Sequence, residues 1–200
     1  MLGRQHTAPT GADTVADVAD VRDARLLDRI VRRDPRAFEE LFRSYHPRLN
    51  RFLLSILRRA HVAEEVLNDT LLVVWRQPER YNGHSKVSTW IFAIAYRQAM
   101  KALSRCDDPV EDRQAEARPS GEAGPEQQLG RRQAQDVLQR AIDELSPDHR
   151  AVIDLTYFHE IGYREIAELM DCPQDTVKTR MFHARRRLRR KLAGDLGDWL

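Results

Sequence analysis

Residues 163–191 read YREIAELMDCPQDTVKTRMFHARRRLRRK, and the rest of the chain is best read outward from them. Tyr163, Ile166, Ala167 and Met170 recur at i, i+3, i+4 and i+7, which gathers apolar side chains on one helix face. Asp171, Cys172 and Pro173 break that period: Asp tolerates turn conformations, and Pro suits the first position of a helix, where its missing N–H costs nothing. A second helix then opens. Val177, Met181, Ala184, Leu188 and Leu192 form its apolar stripe, and at about 100° per residue the opposite side carries Thr179, Phe182, His183, Arg186 and Arg190. Two helices about a tight turn, the second long and basic on its outside, form the pattern of a helix-turn-helix.

The charge of this second helix is concentrated. Lys178, Arg180, Arg185, Arg186, Arg187, Arg189, Arg190 and Lys191 stand against one acid, Asp175, at its N-terminal end. Phosphates are the natural partner of such a stripe. In a helix-turn-helix the first residues of the second helix meet base edges in the major groove while later basic residues follow the backbone. Gln174, Thr176, Lys178, Thr179 and Arg180 are therefore expected to read sequence, with Phe182 placed to pack on a thymine methyl. The bland reading is a solvated helix end favoured by the helix dipole; the helix and turn that precede it argue for DNA.

The 200-residue chain has room for one or two modest cores. Its formal net charge is only +2, so the basic helix must be balanced by acids elsewhere. Cys106 and Cys172 supply neither a disulfide framework nor metal-ligand spacing. No apolar run approaches the roughly 20 residues of a membrane span, and the first 25 residues lack the apolar centre of a signal peptide. The expectation is a reduced, cytoplasmic chain without membrane insertion.

Residues 1–22, rich in Ala, Gly, Thr and Asp, are expected to form a disordered tail, with order beginning near Asp23. Asp34-Pro35 is a helix cap followed by a first-turn proline, and Phe38, Leu41, Phe42, Tyr45, Leu49, Phe52, Leu53 and Ile56 continue at helical spacing, with a kink expected at Pro47. A further helix is expected from about Val62 to Gln77, burying Val66, Leu67, Thr70, Leu71, Val74 and Trp75. The polar stretch ERYNGHSKV (79–87) has no period, and Ser88 is expected to cap a helix running to about Arg105.

From Cys106 to about Gly130, within a linker expected over 106–131, the composition changes to Pro, Gly, Ala and acids: Asp107, Asp108, Glu111, Asp112, Glu116, Glu122 and Glu126 against Arg113 and Arg118. This is the composition of a flexible acidic linker. A second helical domain is expected over 132–193, with Val137, Leu138, Ala141, Ile142 and Leu145 lining one face and Ser146-Pro147 opening the next helix; 194–200 would be a tail. No strand alternation, hairpin dipeptide or repeat occurs, so the fold expected is all-α: two small helical domains, 23–105 and 132–193, joined by the linker.

The motifs in this order resemble the extracytoplasmic-function (ECF) sigma factors of bacterial RNA polymerase, in the sigma-70 family. DPRAFEELFRSYHPRLNRFL resembles the start of their region two, AEEVLNDTLLVVWR their polymerase-contacting helix, and VSTWIFAIAYRQAMKAL their promoter-melting and −10-reading helix; ELSPDHRAVIDLTYFHEIGYREIAELMDCPQDTVKTRMFHARRRLRRKL resembles region four. Glu160, Gly162 and Asp171 depart from the commoner Gly, Ser and Gly, and His84-Ser85-Lys86 replace the usual small and Arg residues, which bears on the bases read. The resemblance implies that the chain directs promoter-specific initiation without catalysis of its own. It assigns the −35 element to Gln174, Asp175, Thr176, Lys178, Thr179, Arg180, Phe182, His183, Arg186, Arg187 and Arg190. It assigns the −10 element and melting to Arg80, Tyr81, Asn82, His84, Ser85, Lys86, Ser88, Arg97, Gln98 and Lys101. Asp69, Leu72, Val73 and Arg76 lie off the buried stripe of their helix and would meet the β′ clamp coiled coil. The implied partners are core RNA polymerase through that coiled coil and the β flap, promoter DNA, and an anti-sigma factor.

Enzymatic readings find little support. His159-Glu160 begins a zincin-like HExxH, but the fifth residue is Tyr163, so the second ligand is missing. No phosphate-cradling Gly-rich loop or nucleophile elbow occurs, and no cofactor or metal is expected. The alternative from another class is a stand-alone helix-turn-helix regulator whose N-terminal helices bind a partner.

Overall fold

The computed structural model describes residues 11–105 and 137–197, with side chains over 19–105 and 137–193. The linker at 106–131 lies outside the described residues. Among the described residues every regular element is helical: α1 (Gly11–Val31), α2 (Pro35–Leu57), α3 (Ala60–Arg76), a 3-10 turn (Pro78–Arg80), α4 (Val87–Arg105), α5 (137–143), α6 (Pro147–Tyr157), α7 (Tyr163–Leu169) and α8 (Gln174–Gly197).

Two helix starts follow the sequence signals. Asp34 caps α2 by accepting from Arg36 N at 2.9 Å and Ala37 N at 3.4 Å, with Pro35 in the first turn. Ser146 caps α6, its hydroxyl accepting from His149 N at 3.4 Å. Each cap satisfies N–H groups that the helix cannot. α2 continues through Pro47. Leu41, Tyr45, Leu49, Phe52, Leu53 and Ile56 on its inner face are fully buried on both sides of the proline, so packing holds the helix across the missing rung.

The N-terminal boundary needs correction: helix begins at Gly11, not at Asp23 after a tail over residues 1–22. Residues 1–10 lie outside the described residues. Leu26, Leu27 and Ile30 bury the helix against the first domain. Asp23, itself buried, accepts from the Tyr45 hydroxyl at 2.5 Å. Burial pushes the Asp23 carboxyl above the ordinary carboxylate range, and the Tyr45 hydrogen bond offsets part of that rise. Composition places Asp20 in a tail and Asp23 at its edge, whereas both have partners far along the chain.

Two smaller corrections concern the second domain. Leu138 is exposed rather than on the buried face of Ala141 and Leu145, and α8 continues to Gly197 where a tail from 194 is expected. The larger finding is that the two domains are not separate bodies. α2 packs on α6 and α4 on α7, so the cores merge into one hydrophobic cluster. Arg150 crosses the boundary: its guanidinium donates to Leu145 O at 2.6 Å within the second domain and to Ile56 O at 2.9 Å at the end of α2.

Candidate nucleic-acid interface

α7 starts at Gly162, which has no side chain to cap it. Its end is set by Asp171 at φ 51, in the left-handed region that Asp tolerates better than most residues; Cys172 N then closes on Ala167 O at 3.0 Å. The Pro173 carbonyl accepts from Thr176 N at 2.9 Å and opens α8, so Pro173 precedes the first helical residue instead of being it. Val177, Met181 and Ala184 bury the inner stripe against α6 and α7. The outer face carries Thr179, Phe182, His183, Arg186 and Arg190, all exposed as the spacing implies, with Phe182 61% accessible among cations. Gln174 and Asp175 are exposed at the leading end and Thr176 is half-buried.

The cations of α8 are not equivalent. Lys178 pairs with Asp175 at 2.9 Å, and Glu144 receives Lys191 at 2.7 Å and Arg187 at 3.9 Å. The Lys191 hydrogen bond holds the Glu144 carboxyl below its usual range. Arg180 departs furthest from expectation. It turns inward to Asp148 of α6 at 2.5 Å, with one guanidinium nitrogen 3.8 Å from the Cys172 sulfur and 4.0 Å from that of Met170. In this arrangement it does not project outward with Thr179 and Phe182.

The loop 81–86 is closed on itself. Tyr81 stacks obliquely on Trp90 with ring centroids 5.5 Å apart and donates its hydroxyl to Ser85 O at 2.6 Å. His84 N donates to Asn82 Oδ1 at 3.1 Å, and Gly83 takes φ 74, a left-handed turn residue. Arg80, Asn82, His84, Arg97 and Lys101 are exposed, while Tyr81, Ser85, Lys86, Ser88 and Gln98 are half-buried. Ser88 does not cap α4. The helix begins one residue earlier, at Val87, whose N–H donates to Asp20 Oδ1 at 3.2 Å. The cap comes from α1, 67 residues away in sequence, where no local signal reveals it.

On α3, Asp69, Leu72 and Arg76 are exposed and Val73 is half-buried against the core. Leu72, 41% accessible between two charged residues, has the layout of a small apolar centre with a polar rim.

Between α4 and the helix-turn-helix lies a seam that sequence reasoning missed. The α4 face formed by Thr89, Phe92 and Tyr96 is buried. His159, read from sequence only as a failed metal motif, has a side chain 2% exposed, packed on Phe92 at 4.4 Å and edge-on to Phe52 at 6.1 Å. It faces the Asp154 carboxylate at 3.0 Å. Tyr96 donates to Asp148 Oδ1 at 2.8 Å, and its hydroxyl is pushed well above its usual range by burial first and by Asp148 second. Thr89 donates to Glu165 Oε2 at 3.2 Å, and Lys86 lies 3.5 Å from Glu165 Oε1.

Family comparisons agree with this arrangement. Residues 41–107 match the model of Sigma-70 region 2 and residues 135–188 that of Sigma-70, region 4. The ECF RNA polymerase sigma factor RpoE of Cereibacter sphaeroides is 31% identical over 187 residues, spanning 90% of this chain and all of the relative. The chain belongs to the ECF sigma factors of the sigma-70 family. The RNA polymerase sigma-H factor of Pseudomonas aeruginosa is 28% identical over 82% of this chain and 90% of its own length. The sigma factor RpoE of Bartonella quintana, solved with the anti-sigma factor NepR, superposes with a TM-score of 0.63 at 24% identity over 78% of this chain and 96% of that one, which shows the fold.

As an ECF sigma factor the chain binds RNA polymerase and directs transcription initiation at promoters. Region 2 coincides with α2–α4 and region 4 with α5–α8, so α1 before Leu41 stands outside the matched part while supplying Asp20 to α4. No helix among the described residues is long and apolar enough to cross a membrane.

Proposed function

We propose that this sigma factor divides its work as follows: the outer face of α8 reads the −35 element, the loop 80–86 with Ser88, Arg97, Gln98 and Lys101 captures and melts the −10 element, and Asp69, Leu72, Val73 and Arg76 of α3 dock on the β′ clamp coiled coil, with region 4 meeting the β flap. It acts in the cytoplasm with polymerase, adds no chemistry of its own, and is held in reserve by an anti-sigma factor, as its Bartonella quintana structural neighbour is seen bound to one.

The observation that carries the −35 assignment is Phe182, 61% accessible on a helix-turn-helix face flanked by Thr179, His183, Arg186 and Arg190. Leaving a large aromatic in water among cations has a stability cost that contact with base methyls and phosphates offsets. On the −10 side, extruding a base costs a few kcal/mol and aromatic stacking returns roughly 1–3 kcal/mol. Tyr81 is anchored through its hydroxyl, so its ring is held in place and can serve as a fixed platform.

The deciding experiment adds purified chain to core polymerase on genomic promoter fragments. Promoter-specific transcripts that appear only with the chain support the proposal. Tight operator binding by the chain alone, with no dependence on polymerase, would make it a free-standing regulator.

A further inference from the structure

Helix α1 stands outside the part of the chain that matches region 2, yet it holds both flanks of the segment 77–86, which leaves the end of α3 and enters the start of α4. At the α3 end the Arg33 guanidinium donates to Trp75 O at 2.7 Å and to Arg76 O at 3.3 Å, and it lies 5.9 Å from the centre of the Trp75 ring. At the α4 start the Asp20 carboxylate accepts from Val87 N at 3.2 Å. Each charge matches the helix end it meets, a cation on the last carbonyls of α3 and an anion on the first N–H of α4. Burial first, and the Asp20 carboxylate second, push the Tyr81 hydroxyl above its usual range, so Asp20 also lies near the aromatic side chain of the loop. The backbone of Arg33 takes φ 63, in the left-handed region where Gly or Asn would close α1 with less strain. A long side chain is kept in such a conformation where surrounding contacts over-determine it, and here those contacts lie 42 and 43 residues away, on α3. From Asp20 to Val31 the helix is about 17 Å of stiff rod, so the two contacts fix one flank of the loop relative to the other.

We propose that α1 is a splint for the −10 loop and that Asp20 and Arg33 are its positioning residues: they touch no DNA, and they hold the ends of α3 and α4 so that the loop meets an extruded base already in its binding shape. The inference rests on the assignment of the loop 80–86 to the −10 element. A loop ordered in advance has no ordering entropy left to lose when it binds. Loss of the splint therefore lowers affinity for the opened strand without removing a single contact to DNA. The acid at one end of α1 and the base at the other act as a pair, since releasing either flank frees the loop.

The test measures binding of holoenzyme to a single-stranded −10 oligonucleotide with a fluorescent base analogue at the extruded position, beside the affinity of each variant for core polymerase. Asp20→Ala and Arg33→Gly are each expected to weaken oligonucleotide binding about tenfold and to leave core affinity unchanged. Arg33→Gly suits the left-handed backbone, so its thermal stability is expected to stay near that of the parent while capture of the analogue falls. Asp20→Asn is expected to restore capture, since its amide oxygen still accepts from Val87 N. Arg32→Gln, which removes the adjacent exposed cation, is expected to bind like the parent; an equal loss there would reduce the effect to net charge and overturn the proposal. Parent-like capture by both Asp20→Ala and Arg33→Gly overturns it as well. So does a loss that tracks core affinity, or a loss in Arg33→Gly that tracks its melting temperature, either of which makes α1 a support of the fold alone. Asn82→Ala and Lys86→Ala, inside the loop, test the underlying assignment separately. If these two bind like the parent, the loop does not meet the −10 element and the splint falls with it; if they lose binding while the α1 variants keep it, only the splint fails.

Discussion

Replacing Arg150 by Met is expected to uncouple the two domains as well as weaken the fold. The side chain is buried, and its guanidinium donates to Leu145 O at 2.6 Å, Ile56 O at 2.9 Å and Asp143 O at 3.3 Å. Burial lowers its pKa to about 10, with nearby Arg58 adding to the shift, so the group is still charged at neutral pH. A charge-assisted hydrogen bond contributes about 1.5–3 kcal/mol net, and a deleted partner leaves buried carbonyls unsatisfied. Met recovers part of the loss because it fills the space of the aliphatic stem, which puts the expected net cost at about 3 kcal/mol. In a chain of this size that corresponds to a fall in Tm of roughly 6–12 °C. Because the Ile56 bond is the one that spans the boundary, urea unfolding followed by circular dichroism and by seam-sensitive fluorescence is expected to change from coincident to separated transitions, with a reduced m-value. Arg150→Lys, which cannot reach three carbonyls at once, is expected to fall between the two. A loss below about 1 kcal/mol, or transitions that stay coincident, would refute the reasoning.

Four further outcomes follow from the same contacts. Asp20→Ala removes the side-chain acceptor of Val87 N at the α4 start, so amide exchange at Val87 is expected to accelerate and stability to drop by about 1 kcal/mol, with Asp20→Asn restoring both. Arg186→Ala is expected to weaken −35 DNA binding on all sequences and lower the salt slope by about 0.9, whereas Phe182→Ala is expected to relax preference at a thymine; titrations at several salt concentrations on matched and mismatched duplexes separate them. Leu72→Asp is expected to reduce core polymerase affinity about tenfold by fluorescence anisotropy while −35 duplex binding by the same chain is unchanged. Asp23 gives a pH signature: its folded pKa is raised, so the native state holds a proton more readily than the unfolded chain, and stability falls as pH rises from the ordinary carboxylate range through the folded value. Asp23→Asn, which still accepts from Tyr45, is expected to flatten that fall, as seen by denaturation at a series of pH values.

The parts of the fold legible in the sequence were those written locally. Asp34-Pro35 and Ser146-Pro147 announce helix starts because cap chemistry acts within three residues, and the stripe of Val177, Met181 and Ala184 fixes which side of α8 is left exposed. Periodicity also found the exposed face of α8 and, on α3, Asp69, Leu72 and Arg76, while Val73 of the same set packs half-buried on the core. What stayed hidden depends on partners distant in the chain. Asp20 reads as a tail residue, and Asp23 as no more than the start of order, until Val87 and Tyr45 are placed beside them. Arg180 reads as an outward base contact from its neighbours Lys178 and Thr179, and only Asp148 of α6 draws it inward. His159 looks idle because the aromatic rings that enclose it, Phe52 and Phe92, belong to the other domain.

The bond from Arg150 to Ile56 joins positions 94 residues apart, and that distance becomes a delay while the protein is being made. At about 5–20 residues added per second, some 5–20 s separate emergence of the end of α2 from emergence of the arginine that will clamp it. In the later part of that interval, once Arg105 has emerged, α1–α4 can fold with the Phe92 face uncovered, before α6 and His159 exist to shield it. The nascent sigma factor is therefore born open. A chaperone or regulator acting on the ribosome-bound chain meets a surface that the finished molecule has put away, and its access ends when α6 arrives rather than when a signal is received.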